Sequence, residues 1–339
     1  MSITVAPVGN SRILSVGTYR PKRVVPNSEI VDRIDSTDEW IVQRTGIESR
    51  RFAGDDETVI SMAKAACEIA LKRAKLTIAD IDTVILSTIS YPFQAPSAAT
   101  ELINELGNPK AAAFDISAAC AGFCYGVAMG SDLVRSGTSK NVLVIGVEKL
   151  SDYTDPDDRA TAFIFADGAG AVVIGQSDQP RIGQTIWGSD ADSRDAITLT
   201  PSFLDFKKNP DKGVGELGWP NISQQGQVVF RWAVYSMSKV GLQALEAAGV
   251  SVDELGAFIP HQANVRIIET MAKEMKIPDS VLIADDIRTN GNTSAASIPL
   301  AMDRILEEHP ELHGKLALLI GYGAGLVYAG QVVELPPKP

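Results

Sequence analysis

Three side chains in this sequence have the types and settings that nucleophilic chemistry needs. Cys120 stands in Asp115-Ile-Ser-Ala-Ala-Cys120-Ala-Gly-Phe123, His261 in Phe258-Ile-Pro-His261-Gln-Ala-Asn264, and Asn292 in Thr289-Asn-Gly-Asn292-Thr-Ser-Ala-Ala-Ser297. A thiol is a strong nucleophile once ionised. The small residues Ala118, Ala119, Ala121 and Gly122 leave room for a substrate to approach it. A cysteine with a histidine and an asparagine allows two chemistries. In a hydrolase the imidazole is a base held by the asparagine, and water cleaves an acyl-enzyme. In a carbon–carbon condensing enzyme the same two side chains donate to a thioester carbonyl and stabilise an enolate. A free cysteine among alanines also reads as a small buried hydrophobe, so Cys120 decides nothing by itself. His261 weighs more, because the chain has only three histidines, and His309 and His313 lie in a polar segment beside Pro310 and Gly314.

The elements that must position these residues follow from the surrounding pattern. An apolar run from Ala111 to Phe114 leads into the Cys120 stretch, and a helical pattern continues to Arg135. That reads as strand, tight turn and helix with Cys120 at the helix start, where the dipole favours thiolate over thiol. His261 follows a buried strand, and Asn292 is expected to open a helix much as Cys120 does. Strand ends along one sheet edge are where open α/β folds gather chemistry. Ala70 to Leu86 and Ala244 to Pro260 share one pattern of helix end, short turn and apolar strand, 174 positions apart. Strand 142–147 likewise corresponds to 316–321. The matching order points to a duplicated chain, with halves expected at 1–176 and 177–339 packed together.

Between these elements lie a first strand at 11–18, a short helix expected over Glu29 to Ile34, and a helix opened by Ser36 and Thr37 and stopped by Gly46. On that last helix Trp40 and Arg44 share a face and suit an aromatic ring and a phosphate. Asp56 to Ala74 reads as an amphipathic helix with Cys67 on its apolar face, hence structural. Phe163 to Gly175 reads as a strand with a glycine-rich bend, and its glycines lack the spacing of a dinucleotide fingerprint. The polar stretch Gln176 to Gln227 is the expected boundary and cover of a site mouth. Phe230 to Ala248 reads as a helix.

Composition narrows the function. A chain of 339 residues holds one large or two fused domains. Three cysteines, with Cys120 and Cys124 spaced CxxxC, give no disulfide framework and neither a redox nor a zinc motif. Met1 to Asn10 carries no basic-then-apolar leader pattern, and no apolar run reaches membrane length. The expectation is a cytoplasmic protein without membrane attachment. A net charge of −11 argues against a nucleic-acid partner and requires any acidic partner to dock on a local basic patch.

Taken in order, Asp38-Glu-Trp40-Ile-Val-Gln-Arg44-Thr-Gly-Ile47, Ala118-Ala-Cys120-Ala-Gly-Phe123, Pro260-His261-Gln-Ala-Asn264-Val-Arg266-Ile267, Gly291-Asn292-Thr-Ser-Ala-Ala-Ser297 and a glycine-rich end resemble one family across about residues 11–336. That family is β-ketoacyl-acyl-carrier-protein synthase III, the initiating condensing enzymes of type II fatty acid synthesis. The resemblance implies an α/β thiolase-like fold, two duplicated halves in a five-layered αβαβα arrangement, working as a homodimer. It implies that Cys120 takes the acyl group from acyl-coenzyme A. Malonyl-acyl carrier protein then enters and loses carbon dioxide, with His261 and Asn292 holding its thioester oxygen. The carbanion attacks the acyl-Cys120 thioester and releases a β-ketoacyl carrier protein. The resemblance places the oxyanion of the acyl group on the backbone N–H groups of Cys120 and Gly325. Trp40 and Arg159 resemble an adenine sandwich, and Ser36, Arg44 and Asn264 resemble coenzyme A contacts. Arg266 with Lys273 or Lys276 resembles the patch that docks the acidic carrier protein. No cofactor or metal is implied, since both thioesters are substrates.

Two positions depart from the family pattern. Ala160 follows Arg159 where many members have glycine. Ala95 precedes Pro96 where a bulky residue of the dimer partner often closes the acyl pocket, so longer or branched primers are expected. Two rival readings stand beside this one. The first is an acyltransferase or condensing enzyme of specialised metabolism on the same fold, for which the paired His261 and Asn292 are less needed if it only moves acyl groups. The second is a non-catalytic partner subunit, which would not need Cys120.

Overall fold

A computed structural model describes residues 8–339; Met1 to Pro7, part of the segment read above for a leader, lie outside the described residues. Two five-stranded sheets carry the fold. Across the first run Ala112–Ile116, Thr83–Ser87, Asn141–Lys149, Asp167–Ser177 and Asn10–Tyr19; across the second run Leu282–Ile283, Leu255–Pro260, Leu316–Gly323, Val327–Glu334 and Ile186–Ser189. In both, the first two pairings in that order are parallel and the last two antiparallel.

Period-two alternation explains the layering. In Asn141–Lys149, Val142 and Val144 face the space between the sheets, whereas Leu143, Ile145 and Val147 pack outward against Val59–Ala74. In Leu316–Gly323, Ala317 and Leu319 face inward and Leu318 and Ile320 outward against Gly226–Ala248 and Val265–Glu274. Helices Gly122–Arg135 and Ser297–Glu308 fill the middle. Strands covered on both faces read as continuous apolar runs, as these do. The layers are therefore helix, sheet, helix, sheet, helix, the thiolase-like arrangement.

Each central helix is entered through a tight turn containing one non-glycine residue in the left-handed region, Ala119 (φ 44°) and Ser294 (φ 48°). Superposing the two turns makes Ala295, not Asn292, the counterpart of Cys120. Asn292 stands two residues before the left-handed position and corresponds to Ser117, which corrects the expectation that it opens its helix as Cys120 does. The turns are seated reciprocally. A Cβ on Gly146 would lie 2.1 Å from the Ala295 carbonyl oxygen, and one on Gly321 3.0 Å from the Ala121 Cα. Each sheet thus offers a side-chain-free strand position to the turn of the other half.

Other local expectations shift for tertiary reasons. No helix spans Glu29 to Ile34; only the turn Asn27–Glu29 forms. The Asn27 side chain is drawn into the core, where it donates to Asp38 (2.6 Å) and the Ile47 carbonyl (2.8 Å) and accepts from the fully buried Arg50 (2.6 Å). The strand after Phe163 begins only at Asp167, because Ile164 and Ala166 bond across to the Asn292 backbone in the other half. The polar stretch after Gln176 contributes the edge strand Ile186–Ser189 and a hairpin pairing Ile197–Thr200 with Asn221–Gln224. The helix expected from Phe230 starts earlier, at Gly226.

Candidate active site

The turn before Gly122–Arg135 brings Cys120 to the floor of a small cavity, about 50 Å³, also lined by His261, Asn292, Ser294, Tyr322 and Gly323. The three residues singled out by type, 172 positions apart at the extremes, therefore meet. The place of Cys120 near a helix start, which favours thiolate, is opposed by the packing around it. Packing around the half-buried Cys120 pushes its thiol up to about 12. Desolvation of the charged form outweighs the dipole here. Cys124 is fully buried one turn on, likewise pushed up to about 12 by burial, and Cys67 is buried on its helix and raised as well.

Hydrogen bonds define what His261 and Asn292 can do. His261 is 2% exposed and burial lowers it to about 3, so the imidazole is neutral at working pH. Its Nδ1 lies 2.7 Å from the Ser297 hydroxyl, which also accepts the Gln262 N–H at 3.3 Å. Assigning the hydroxyl as the donor to Nδ1 places the imidazole proton on Nε2. Asn292 Oδ1 accepts the Ser294 N–H at 2.8 Å, which leaves its NH₂ group as the free end. Both side chains therefore present N–H donors. A base held by an asparagine would need an unprotonated imidazole nitrogen free in the cavity, so the geometry fits the enolate-stabilising chemistry and not the hydrolytic one.

A wider cleft of about 630 Å³ adjoins the cavity, and Gln224, Val229, Ala263 and Asn292 line both. Its walls carry Trp40, Arg44, Arg159, Arg231, Asn264 and Arg266. Thr37 caps the helix Asp38–Thr45, accepting the Trp40 N–H, and Gly46 closes it with φ 78°. The Arg44 guanidinium lies 4.8 Å and that of Arg159 5.5 Å from the Trp40 ring centre. Arg159 also pairs with Asp35 at 3.7 Å. Asn264 caps Val265–Glu274, accepting the Arg266 N–H, and donates to the Arg44 carbonyl at 2.9 Å, tying the two helices at the mouth. Arg266 lies over Phe230 at 5.5 Å, with Lys273 and Lys276 exposed beyond it.

Some expected residues do not reach the site. The Ser36 hydroxyl is buried without a partner and lines neither cavity. Gly325 takes φ 77° within the turn Ala324–Leu326, and the cavity is met instead by Gly323 and Ala324. Gly323 packs so close that a Cβ there would lie 2.7 Å from the Cys120 nitrogen. Ala95 lies in the exposed loop Pro92–Pro96 and lines neither cavity of its own chain. Reasoning from sequence missed Ser294, Ser297, Tyr322, Trp232 and Arg231. Ser294 and Ser297 lie inside the Asn292 motif and were within reach; the others carry no local signal.

Comparison with known proteins settles the family. The 3-oxoacyl-[acyl-carrier-protein] synthase III model matches residues 114–191, and its C-terminal counterpart matches residues 245–335. β-Ketoacyl-[acyl-carrier-protein] synthase III 1 of Streptomyces coelicolor is 55% identical over 331 residues, covering 96% of each chain. The chain belongs to the β-ketoacyl-[acyl-carrier-protein] synthase III family. It is accordingly an acyl-transferring condensing enzyme. Among solved family structures, the Aquifex aeolicus synthase superposes with a TM-score of 0.87 at 36% identity, over 96% of this chain and all of that one. A priming β-ketosynthase from the R1128 polyketide pathway superposes with a TM-score of 0.96 at 42% identity over the whole of both chains.

Proposed function

We propose that this enzyme condenses an acyl-coenzyme A primer with malonyl-acyl carrier protein, releasing carbon dioxide and coenzyme A and giving a β-ketoacyl carrier protein that starts a fatty acid chain. The observation that carries this reading is the single cavity holding the Cys120 thiol beside two N–H donors, opening into an arginine-walled cleft.

Acyl-coenzyme A enters first, its adenine against Trp40 and Arg159 and its phosphates near Arg44, with Arg231 added to the set. The Cys120 sulfur attacks the thioester carbonyl. The oxyanion that forms is met by the Cys120 N–H and, in place of Gly325, the Ala324 N–H. Coenzyme A leaves and malonyl-acyl carrier protein takes its place, the acidic carrier resting on Arg266 and Lys273 or Lys276. His261 Nε2–H and the Asn292 amide hold the malonyl thioester oxygen, so charge developing there as the carboxylate departs is stabilised. The carbanion then attacks the acyl-Cys120 carbonyl and the sulfur leaves. The protein's own groups supply this chemistry without metal or cofactor. We place it in the cytoplasm, as a homodimer in which Ala95 of each subunit borders the other's primer pocket.

The test separates the half-reactions. Labelled acyl-coenzyme A should leave its acyl group on the wild-type protein and none on Cys120→Ala. His261→Ala and Asn292→Ala should still be labelled but should fail to release carbon dioxide and product from malonyl-acyl carrier protein. A wild-type protein that takes no label, or releases the acyl group to water when malonyl-acyl carrier protein is present, would reject the reading.

A further inference from the structure

Arg50 is fully buried, and its charged head is held by neutral acceptors. It donates to the Val25 carbonyl (3.2 Å), the Asn27 side chain (2.6 Å) and the Phe163 carbonyl (3.1 Å). Its Nε finds no partner among the described residues. Desolvation lowers the guanidinium to about 10, opposed by Asp38, so it stays charged at working pH. A methionine would fill a similar core space without that desolvation cost. The bonds to Val25 and Asn27 tie Arg50 to the neighbouring strand and turn. The bond to Phe163 reaches a distant part of the chain.

That part leads to the site. The Ile164 carbonyl accepts the Asn292 N–H at 2.9 Å, and the Ala166 N–H donates to the Asn292 carbonyl at 2.9 Å, so the segment 163–166 clamps the Asn292 backbone from both sides. Phe165, between them, lines the Cys120 cavity. The Asn292 amide reaches a substrate only from where this clamp holds its backbone. Arg50 touches both partners of the clamp. Its head bonds Phe163, next to Ile164. Its stem packs beside Gly291, next to Asn292: a Cβ there would lie 2.9 Å from the Arg50 Cβ, 3.0 Å from the Ala166 Cβ and 3.2 Å from the Ile164 carbonyl oxygen. Gly291 takes φ 66°, which a glycine adopts without steric cost. Phe163 also stands edge-on to Trp40, with ring centres 5.4 Å apart, so the same anchor lies between the cleft wall and Asn292.

We propose that Arg50 is a positioning residue for the condensation step: it fixes the segment 163–166 against Gly291 and Asn292, and so sets where the Asn292 amide meets the malonyl thioester oxygen. The turn that carries Cys120 makes neither of the clamp's backbone bonds. Loss of Arg50 therefore leaves the nucleophile in place and lets the Asn292 backbone drift. The two half-reactions divide accordingly. Acylation needs the thiol and its oxyanion donors, whereas decarboxylation needs the amide at the right point beside His261.

This inference rests on Asn292 acting in condensation, and the experiment separates the two. Single-turnover acylation by acyl-coenzyme A and carbon dioxide release from malonyl-acyl carrier protein are each measured at saturating substrate. The proteins are wild type, Arg50→Met, Arg50→Lys, Asn292→Ala and the double variant Arg50→Met/Asn292→Ala. Arg50→Met should acylate within about 3-fold of wild type and condense about 10- to 100-fold more slowly, the range for a catalytic group displaced by up to about 1 Å. Arg50→Lys should condense about 10-fold more slowly, because an ammonium does not span the acceptors as the planar fork does. In the double variant Arg50→Met should add nothing to the loss caused by Asn292→Ala, since a residue acting through the amide has no effect once the amide is gone. An arginine that only stabilises the fold predicts a loss shared by both half-reactions and additive with that of Asn292→Ala. Either result overturns the proposal. Wild-type condensation by Arg50→Lys also overturns it, even if Arg50→Met does not fold. A normal Arg50→Met beside a slow Asn292→Ala strikes this inference alone, whereas an Asn292→Ala that condenses like wild type strikes the role of Asn292 and this inference with it.

Discussion

His261 Nδ1 and Ser297 Oγ lie 2.7 Å apart, and the matching positions of the first half hold Ser87 and Gly122. A Cβ on Gly122 would lie 1.7 Å from Ser87 Oγ, so strand end and helix start approach closely in both halves, but the contacts differ in kind. One half uses the contact to let a helix carrying the nucleophile pack tightly. The other uses it to hold an imidazole. From this follows a first prediction. Ser297→Ala should leave acylation of Cys120 intact and slow condensation about 10-fold, the effect of one lost buried hydrogen bond. Single-turnover rates of the two half-reactions check it.

The protonation of His261 also affects stability. Its ordinary value near 6.5 falls to about 3 in the fold because of burial. Below pH 6.5 the unfolded chain binds a proton that the folded chain refuses until about pH 3. Stability is therefore retained above 6.5 and lost as pH falls toward 3, at most about 1.4 kcal/mol per pH unit from this group. Denaturant titrations of wild type and His261→Gln between pH 7 and 5 should show a shallower decline in the variant.

The reciprocal turns make two glycines unequal in their tolerance. Gly146→Ala would drive a methyl into the Ala295 carbonyl at 2.1 Å, whereas Gly321→Ala meets its nearest atom at 3.0 Å. Overpacking a core typically costs about 1–3 kcal/mol. Gly146→Ala should reach or exceed the upper end and Gly321→Ala stay near the lower, read as the change in denaturant midpoint.

Two groups on the cleft wall should divide the substrates between them. Trp40→Ala removes the ring flanked by Arg44 and Arg159 and should raise KM for acyl-coenzyme A about 10-fold, with that for malonyl-acyl carrier protein little changed. Arg266→Ala should do the reverse, and more so at low ionic strength. Steady-state kinetics with each substrate varied in turn check both.

Ala95 tests primer size. Ala95→Phe should shift kcat/KM away from longer and branched acyl-coenzyme A primers toward acetyl-coenzyme A. An unchanged preference across a primer panel would show that residue 95 does not border the pocket.

Much of this protein is legible in its residues alone. Alternation in Asn141–Lys149, the cap at Thr37 and the stop at Gly46 are local, acting within a few positions, so sequence determines them. The identities of Cys120, His261 and Asn292, and the order of their motifs, likewise need no structure, because thiol, imidazole and amide chemistry belongs to the side chain. Their state does not. The thiol is pushed up by what packs around it, the imidazole is held by a serine 36 positions away, and the amide orientation is set by the Ser294 N–H. The exchange of Gly325 for Ala324 at the cavity and the exclusion of Ser36 also arise only when the halves meet. Desolvation and hydrogen-bond partners are set by what packs around a group, and in this chain much of that comes from the other half.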